Sequence, residues 1–226
     1  MAALEELTHT SQLSEEAAAL AEHVSASVVL VRGPRGGSGS GVVWNGQRLV
    51  VTNHHVVSAT ERATIVLHDG TRLSARVVRR SPELDLAALQ VEDREDLLTP
   101  AEVGESSRLR VGDVIMAVGN PMGERNAVTL GIVSAIGTQR PVLAGEPILA
   151  SISLRPGNSG GALADAYGRV VGIPYMVVGR GLALAVSSRA VNWFLKEGWP
   201  FASPLDEWQD QLRVWGGVTP PHTHKF

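Results

Sequence analysis

A short glycine-rich segment holds the serine whose surroundings best suit nucleophilic chemistry. Residues 156–161 read PGNSGG, so glycines on both sides of Ser159 leave room for a carbonyl group to approach its hydroxyl. The backbone N–H groups of Gly157 and Ser159, with Asn158 between them, could turn toward the carbonyl oxygen and form an oxyanion hole. The same sequence also suits ordinary turns, so Ser159 becomes a candidate nucleophile only if a base and an orienting acid accompany it.

A histidine and an aspartate upstream can fill those two roles. Residues 52–57 read TNHHVV and residues 84–89 read LDLAAL, each in a strand-like context. A serine hydroxyl needs a base within hydrogen-bond reach, and His55 is the candidate. Asp85 would accept a hydrogen bond from the other ring nitrogen, which holds the tautomer and stabilises the imidazolium. His54 is the competing imidazole. Since adjacent side chains cannot both point into one cleft, we expect His54 to be solvent-exposed.

The order of these residues along the chain is His, Asp, Ser, with gaps of 85 − 55 = 30 and 159 − 85 = 74 residues. Chymotrypsin-type enzymes use that order. Five motifs follow one another at residues 39–41 (GSG), 52–56 (TNHHV), 85–89 (DLAAL), 119–123 (GNPMG) and 157–161 (GNSGG). With these motifs the chain resembles the trypsin-like serine peptidases, and more closely their HtrA (Deg) branch, over about residues 26–190.

The resemblance implies a serine endopeptidase that cleaves unfolded or damaged polypeptides through an acyl-enzyme. It favours His55 over His54, because the family's histidine also precedes a valine. Digestive trypsin-like enzymes carry an aspartate before the serine, which pairs with a new N-terminus after zymogen cleavage; Asn158 cannot form that ion pair. We therefore expect no cleavage-dependent activation. As in the family, a loop at residues 141–157 is expected to switch between formed and collapsed oxyanion holes.

Substrate selection is expected first from the residues just before the oxyanion hole. Ser153 stands six residues before Ser159, where trypsin-like enzymes have the base of their specificity pocket. Leu154 matches the apolar pocket wall of HtrA enzymes. Neither position carries a carboxylate that would hold a Lys or Arg side chain, so the resemblance implies cleavage after small or medium aliphatic residues such as Val, Ala or Leu.

The strand after the nucleophile is the second expected substrate contact. Tyr175, Met176 and Val177 could pair with an extended substrate by strand addition. Pro174 removes one backbone donor from that strand. Arg155 stands where the family usually has an asparagine, which leaves the contacts of the neighbouring loop open.

The same residues also fit a function of another class. A peptide-binding, chaperone-like module would keep all three side chains without turnover if its resting oxyanion hole were malformed. An acyl hydrolase acting on small esters is disfavoured, because the nucleophile-elbow order is missing. We expect no cofactor and no metal, since His222 and His224 near the C-terminus are an isolated pair.

The remaining sequence predicts an all-β protein. Six short apolar runs with close turns suggest a barrel, and the second half repeats the pattern. The resemblance implies two six-stranded antiparallel β-barrels of chymotrypsin/trypsin-like type, with a short N-terminal helix and a C-terminal helix. A helical pattern after Ser14 predicts the first helix over 11–25, and residues 188–197 predict the second, capped by Gly198. The predicted strands lie at 28–31, 41–44, 49–52, 63–67, 73–78, 86–91, 114–118, 127–136, 148–151, 161–163, 170–173, 175–178 and 182–186.

These elements divide the chain into four predicted segments. An N-terminal helical segment takes residues 1–26, the first barrel with His55 and Asp85 takes 27–110, and the second barrel with Ser159 takes 111–198. A tail at 199–226 is too short for the PDZ domain with which family members usually continue.

Composition describes an ordinary soluble globule. The 226 residues include 44% hydrophobic residues and no cysteine, and the formal net charge of −3 indicates no nucleic-acid surface. No Lys or Arg precedes Arg32, so a signal peptide is not expected, and no apolar run reaches membrane-spanning length. The expected location is cytoplasmic, or periplasmic or extracellular if a leader was removed. A polypeptide substrate is expected rather than nucleic acid or membrane, and the resemblance implies a homotrimer supported by the segment before the first strand.

Overall fold

The computed structural model describes residues 2–33, 37–44, 48–58, 60–92, 94–121, 126–137, 147–179 and 181–196. Over these residues the chain forms two closed β-barrels of six antiparallel strands each, with few helices. The predicted all-β, two-barrel fold is confirmed. Gly198 and the tail predicted over 199–226 lie outside the described residues. Within the described ranges, every helix falls short of the length or the apolar character that a membrane span needs.

The first barrel contains the segments that carry His55 and Asp85. Around its circumference the strands follow the order β1-β2-β3-β6-β5-β4, and pairing of β1 with β4 closes it. The end of β3 and the start of β6 are neighbours, because Asn53 pairs with Leu86. His55, just after β3, and Asp85, just before β6, therefore lie next to each other at one end of the barrel. The strands are β1 (Val28–Arg32), β2 (Ser38–Trp44), β3 (Leu49–Asn53), β4 (Arg62–Val66), β5 (Arg72–Ser81) and β6 (Leu86–Val91).

The second barrel contains the segment that carries Ser159. Its strands are β7 (Val114–Gly119), β8 (Ala127–Ile136), β9 (Ile148–Ser151), β10 (Ala162–Asp165), β11 (Val170–Gly179) and β12 (Leu182–Ser187). They follow the order β10-β11-β12-β9-β8-β7, and pairing of β10 with β7 closes the barrel. Ser159 lies in the turns just before β10.

Two strands that the sequence predicted as separate are continuous in the structure. The two runs predicted at 170–173 and 175–178 are a single strand, β11. Its pairing with β12 shifts between Pro174 and Met176. A bulge of this kind accommodates a residue without a backbone N–H, so Pro174 does not end the strand.

Among the described residues, three α-helices accompany the barrels: α1 (Ala2–Ser25), α2 (His54–Val57) and α3 (Ser188–Lys196). The predicted N-terminal helix is confirmed, but α1 begins at Ala2 instead of residue 11 and is 24 residues long. Residues 2–7 are all Ala, Leu or Glu, whose high helix propensity extends α1 beyond Ser14. Over residues 11–25, where side-chain burial is described, α1 is buried only at its C-terminal end, through Val24 and Ser25.

Each barrel has its own apolar core, and a third buried cluster joins the two barrels. This shared cluster includes Trp44 of the first barrel, Ile173 of the second and Phe194 of α3. The Trp44 indole N–H also donates to Asn192 Oδ1 at 3.0 Å. Burial of each large side chain contributes about 1.5–3 kcal/mol, so the seam between the barrels is a firm support for residues that lie along it.

Candidate active site

Asp85 occupies a strained turn that directs its polar atoms toward α2. Its φ of 52° lies in the left-handed region, which Asp tolerates better than most residues. The Asp85 carbonyl accepts hydrogen bonds from the His54 N–H at 2.9 Å and from Asn53 Nδ2 at 2.9 Å. Because Asp85 is only 2% exposed, these contacts hold a buried carboxylate beside the start of α2.

His55 contacts both oxygens of this carboxylate. Its backbone N–H donates to Asp85 Oδ1 at 2.9 Å, and its ring nitrogen Nδ1 lies 2.6 Å from Asp85 Oδ2. A carboxylate can only accept, so Nδ1 carries the proton and Nε2 is left as the acceptor. Nε2 is buried and makes no hydrogen bond to the described part of the chain. The ring is thereby fixed in the tautomer that a general base requires.

The segment before Ser159 is a tight turn. Asn158 N–H donates to the Arg155 carbonyl at 3.0 Å, with Pro156 and Gly157 at the two central positions. Gly157 has a φ of 100°. A positive φ at the second central residue, after a proline, is typical of a type II turn and favours glycine there. Flipping the central peptide would convert this turn to type I, so the φ of Gly157 defines the direction of its N–H.

The turn carrying Ser159 packs directly on the first barrel. The Ser159 carbonyl accepts a hydrogen bond from the Ser40 N–H at 2.8 Å. Gly160 has a φ of 82°, and a Cβ there would lie 2.5 Å from Thr52 Oγ1 and collide with the Ser40 carbonyl. Only glycine allows this approach. The structure therefore brings the Ser159 turn against the end of β3, the strand that leads into His55.

The structure corrects the expectation for His54. We expected a solvent-exposed side chain, but His54 is half-buried and its Nδ1 is shielded from solvent. The reason is that the His54 backbone N–H is held by the Asp85 carbonyl, which keeps α2 close to the β6 entrance.

The residues expected to select substrate differ in their exposure to solvent. Ser153 is exposed, and Leu154 is half-buried and packs against the core of the second barrel. Tyr175 and Met176 are each 7% exposed, and Val177 is half-buried.

One edge of β11 is open beside these residues. β12 pairs with β11 along its length, whereas β10 reaches only residues 170–172 of it. Beyond that point, no described strand pairs with the second edge, although the Pro174 carbonyl accepts the Gly160 N–H at 3.1 Å. An extended peptide could pair there.

Tyr175 is a neighbour of Asp85 that the sequence did not reveal. Burial raises the pKa of its phenol above the ordinary value, and the negative charge of Asp85 raises it further. The sequence indicated Tyr175 as a strand residue that could pair with substrate, not as a neighbour of Asp85. Its proximity to Asp85 depends on how the two barrels meet, and no local pattern encodes that.

Ser40 is a second residue whose position sequence reasoning missed. It was visible as the centre of the GSG motif, but the motif indicated only a strand entry. In the structure its side chain is buried against the carbonyl of Gly157 at 2.7 Å.

Comparison with known proteins agrees with this architecture. The model of the trypsin-like peptidase domain family matches residues 39–173. The serine protease Do-like HtrA of Bacillus subtilis is 36% identical over 176 residues, which cover 71% of this chain and 39% of that protein. The chloroplastic protease Do-like 5 of Arabidopsis thaliana is 38% identical over 152 residues, covering 61% of this chain and 47% of that protein.

A solved structure of the HtrA-type protease AlgW with a tripeptide superposes with a TM-score of 0.71 and 30% identity. The superposition covers 80% of this chain and 64% of that one. The chain thus spans less than half the length of the two curated relatives.

Proposed function

The chain belongs to the trypsin-like peptidase family, and on that premise we propose that it is a serine endopeptidase of the HtrA type. One observation carries the proposal: His55 is held by both oxygens of the buried Asp85, while its Nε2 stays without a partner among the described residues. A merely structural histidine would satisfy both ring nitrogens. In His55 the Nε2 without a described partner is therefore available to accept a proton from the nucleophile.

In the proposed acylation step, Ser159 Oγ attacks the carbonyl carbon of the scissile peptide bond. His55 Nε2 takes the hydroxyl proton, and Asp85 stabilises the resulting imidazolium. The tetrahedral intermediate places negative charge on the former carbonyl oxygen, where the N–H groups of Gly157 and Ser159 would donate. The C–N bond then breaks, and His55 returns the proton to the leaving amine.

Deacylation repeats the same steps with water. The ester of Ser159 is the acyl-enzyme, and His55 takes a proton from the attacking water. Collapse of the second tetrahedral intermediate releases a carboxylic acid and restores the proton to Ser159 Oγ. No cofactor takes part in this scheme.

The proposed oxyanion hole depends on the direction of one peptide group. The type II turn at Gly157 is the arrangement that we assign to the formed hole, and a flip of the Pro156–Gly157 peptide would collapse it. The loop expected to control this flip spans 141–157, of which residues 141–146 lie outside the described residues.

We assign specificity to an aliphatic pocket and to the open edge of β11. Ser153 and Leu154 offer no charge to the substrate side chain, which favours Val, Ala or Leu before the scissile bond. Tyr175, Met176 and Val177 lie along the strand edge to which an extended peptide can add. Folded proteins rarely present such a free extended segment, so unfolded or damaged polypeptides are the proposed substrates.

We also propose that the working form is a homotrimer. Residues 11–16 of α1 are exposed throughout, and Leu13 is 67% exposed. A long helix buries an apolar stripe against some partner. The last turns of α1 already pack on the second barrel near Gly168, through Leu20 and His23, whereas the exposed residues 11–16 are available to other copies of the chain.

Cleavage of unfolded casein tests the proposed function. Wild-type protein is expected to cut casein, whereas Ser159→Ala and His55→Ala abolish cutting and His54→Ala retains it. Activity that survives His55→Ala but is lost in His54→Ala would show that the wrong imidazole was chosen. Protection of casein from aggregation, without any cleavage by the wild type, would instead support the chaperone-like function.

A further inference from the structure

Ser40 is a fully buried residue of β2 whose polar groups all meet the Ser159 turn or its surroundings. Its N–H donates to the Ser159 carbonyl at 2.8 Å, and its hydroxyl donates to the Gly157 carbonyl at 2.7 Å. Its own carbonyl accepts from Thr52 Oγ1 at 2.6 Å. A single residue of the first barrel therefore binds the turn of the second barrel at two carbonyls.

The direction of the Ser40 hydroxyl follows from its third neighbour. Asn120 donates to Ser40 Oγ through its backbone N–H at 2.7 Å and through Nδ2 at 3.4 Å. The Asn120 amide is oriented this way because its Oδ1 accepts the Asn126 N–H at 3.2 Å. Since both Asn120 groups are donors, the single hydroxyl proton of Ser40 is left for the Gly157 carbonyl.

Contacts from Ser40 and from neighbouring residues fix three successive peptide groups of the turn. The Gly157–Asn158 peptide is held by Ser40 Oγ at its carbonyl and by the Arg155 carbonyl at its N–H. The Ser159–Gly160 peptide is held by the Ser40 N–H and by the Pro174 carbonyl. Between them, the Asn158 carbonyl accepts the Gly161 N–H at 3.0 Å.

Two donors of this turn remain unused. Within the described residues, the backbone N–H groups of Gly157 and Ser159 donate to no protein acceptor. Buried N–H groups are rarely left in that state. They are the same two groups to which the oxyanion hole is assigned, and the contacts of Ser40 turn the neighbouring carbonyls away from them.

We propose that Ser40 is the positioning residue of the oxyanion hole, acting from the first barrel on the peptide groups of the second. The inference rests on the proposed function, because the hole has a role only if Ser159 is acylated. Without the hydroxyl, the Gly157 carbonyl loses its hydrogen-bond donor, and the neighbouring N–H groups of Gly157 and Ser159 are no longer held in one direction. The effect falls on the transition state, where the oxyanion forms, and not on substrate binding.

The experiment compares Ser40→Ala with Ser188→Ala. Ser188 is also buried, at 1% exposed, and its hydroxyl donates to the Gly104 carbonyl at 2.7 Å, away from the Ser159 turn. Both variants lose one buried hydroxyl, so both are expected to melt at lower temperature. Ser40→Ala is expected to lose about 10- to 100-fold in kcat on an aliphatic peptide, less than the 10²–10³-fold typical of a lost oxyanion donor. Its KM should stay unchanged, and Ser188→Ala should keep the wild-type kcat.

Ser40→Cys provides a second test, because it fills similar space with a weak S–H donor. Its kcat is expected to fall between those of wild type and Ser40→Ala. If wild type turns over peptide but Ser40→Ala and Ser188→Ala have equal kcat values, this inference fails alone. A rise in KM with unchanged kcat in Ser40→Ala also overturns it. A wild-type chain without turnover overturns the proposed function and this inference together.

Discussion

At the residue scale, the proposed function depends on a carboxylate that is held in place before any substrate arrives. The backbone carbonyl of Asp85 accepts hydrogen bonds from Asn53 and His54, and its two carboxylate oxygens accept from His55. Hydrogen bonds to an ionised acceptor are stronger than those between neutral groups. The left-handed φ of Asp85 is sustained by these contacts, and the imidazole is oriented without further movement.

Replacing Asp85 by Asn should preserve the shape of the site but reverse its polarity. An amide Nδ2 directed at His55 Nδ1 would place the imidazole proton on Nε2, where it cannot act as a base. We expect kcat for peptide cleavage to fall by about 10⁴-fold, the size typical of the wrong tautomer. Asp113→Asn is the matched control, because Asp113 pairs with Arg110 outside the site and should leave kcat unchanged. An Asp85→Asn variant with near wild-type kcat would contradict the assignment.

Tyr175 offers a pH test of the contact between the two barrels. Burial and the Asp85 charge both disfavour the phenolate, so the pKa of Tyr175 lies above the ordinary value of 10.0. The chain has two tyrosines. In an absorbance titration, Tyr175→Phe should remove a phenol ionisation above pH 10 that Tyr167→Phe retains. Asp85→Asn should lower the pKa of Tyr175, because the second of the two causes is removed.

The same shift predicts how stability changes with pH. The unfolded chain ionises Tyr175 at a lower pH than the folded chain does, so the unfolded state binds fewer protons above about pH 10. Stability is therefore lost as the pH rises from the unfolded pKa through the raised folded pKa. Urea unfolding at pH 9 and pH 11 should show a smaller loss in Tyr175→Phe than in wild type; equal losses would place Tyr175 in solvent contact.

At the element scale, α2 is too short to stabilise itself. A helix of four residues makes too few hydrogen bonds to offset the unfavourable free energy of helix nucleation. The guanidinium of Arg80, on β5, donates to the carbonyls of Val57 (2.7 Å) and Thr60 and so holds the C-terminal side of α2. Asp85 holds the N-terminal side. The position of His55 therefore depends on contacts at both ends of the helix.

Arg80→Ala should lower both stability and activity, whereas Arg79→Ala should lower stability alone. Arg79 is the adjacent residue of β5, and it makes an equivalent contact with the Phe194 carbonyl at 2.6 Å, on α3. Each loss removes hydrogen bonds from a charged donor and is expected to cost about 1–3 kcal/mol in urea unfolding. Displacement of His55 should lower kcat about 10- to 100-fold in Arg80→Ala, with Arg80→Lys recovering part of it. Equal kcat values in the two Ala variants would contradict the claim that Arg80 positions His55 through α2.

Local patterns were enough to predict most strands and the neighbourhood of His55 and Asp85. Alternation and turn residues mark the strands, and the DLAAL and TNHHV motifs name the two residues that the structure places 2.6 Å apart. Contacts between the barrels could not be predicted from such patterns. Ser40 and Gly157 are 117 residues apart, and Arg79 and Phe194 are 115 apart. Nothing near Ser40 in the sequence distinguishes a binding serine from a spacer between two glycines.

At the scale of the whole molecule, the site exists because two separately closed barrels share one buried cluster. The first barrel supplies the proposed base, the proposed acid and Ser40, and the second supplies the proposed nucleophile and the open edge of β11. Neither barrel alone contains the complete set. The candidate site is therefore complete only while the two barrels stay joined through this cluster.

The proposed trimer is a second property at this scale. Leu13, Leu20 and Val24 form one apolar stripe of α1, and Leu13 is its exposed member. Leu13→Glu places a charge on this stripe and is expected to convert a trimer to a monomer in light-scattering measurements. Ala18→Glu is the matched control, because residue 18 is exposed and lies about 140° around the helix axis from Leu13. A wild-type monomer, or a Leu13→Glu variant that stays trimeric, would contradict the use of this stripe in assembly.

The nucleophile can be identified directly by covalent labelling. After treatment with a fluorophosphonate probe, peptide mapping by mass spectrometry should find one adduct, on Ser159, and the adduct should disappear in Ser159→Ala and in His55→Ala. That result would show that the hydroxyl and the imidazole act together. An adduct at another residue, or none on a folded wild-type chain, would contradict the claim that Ser159 is the nucleophile of a serine endopeptidase.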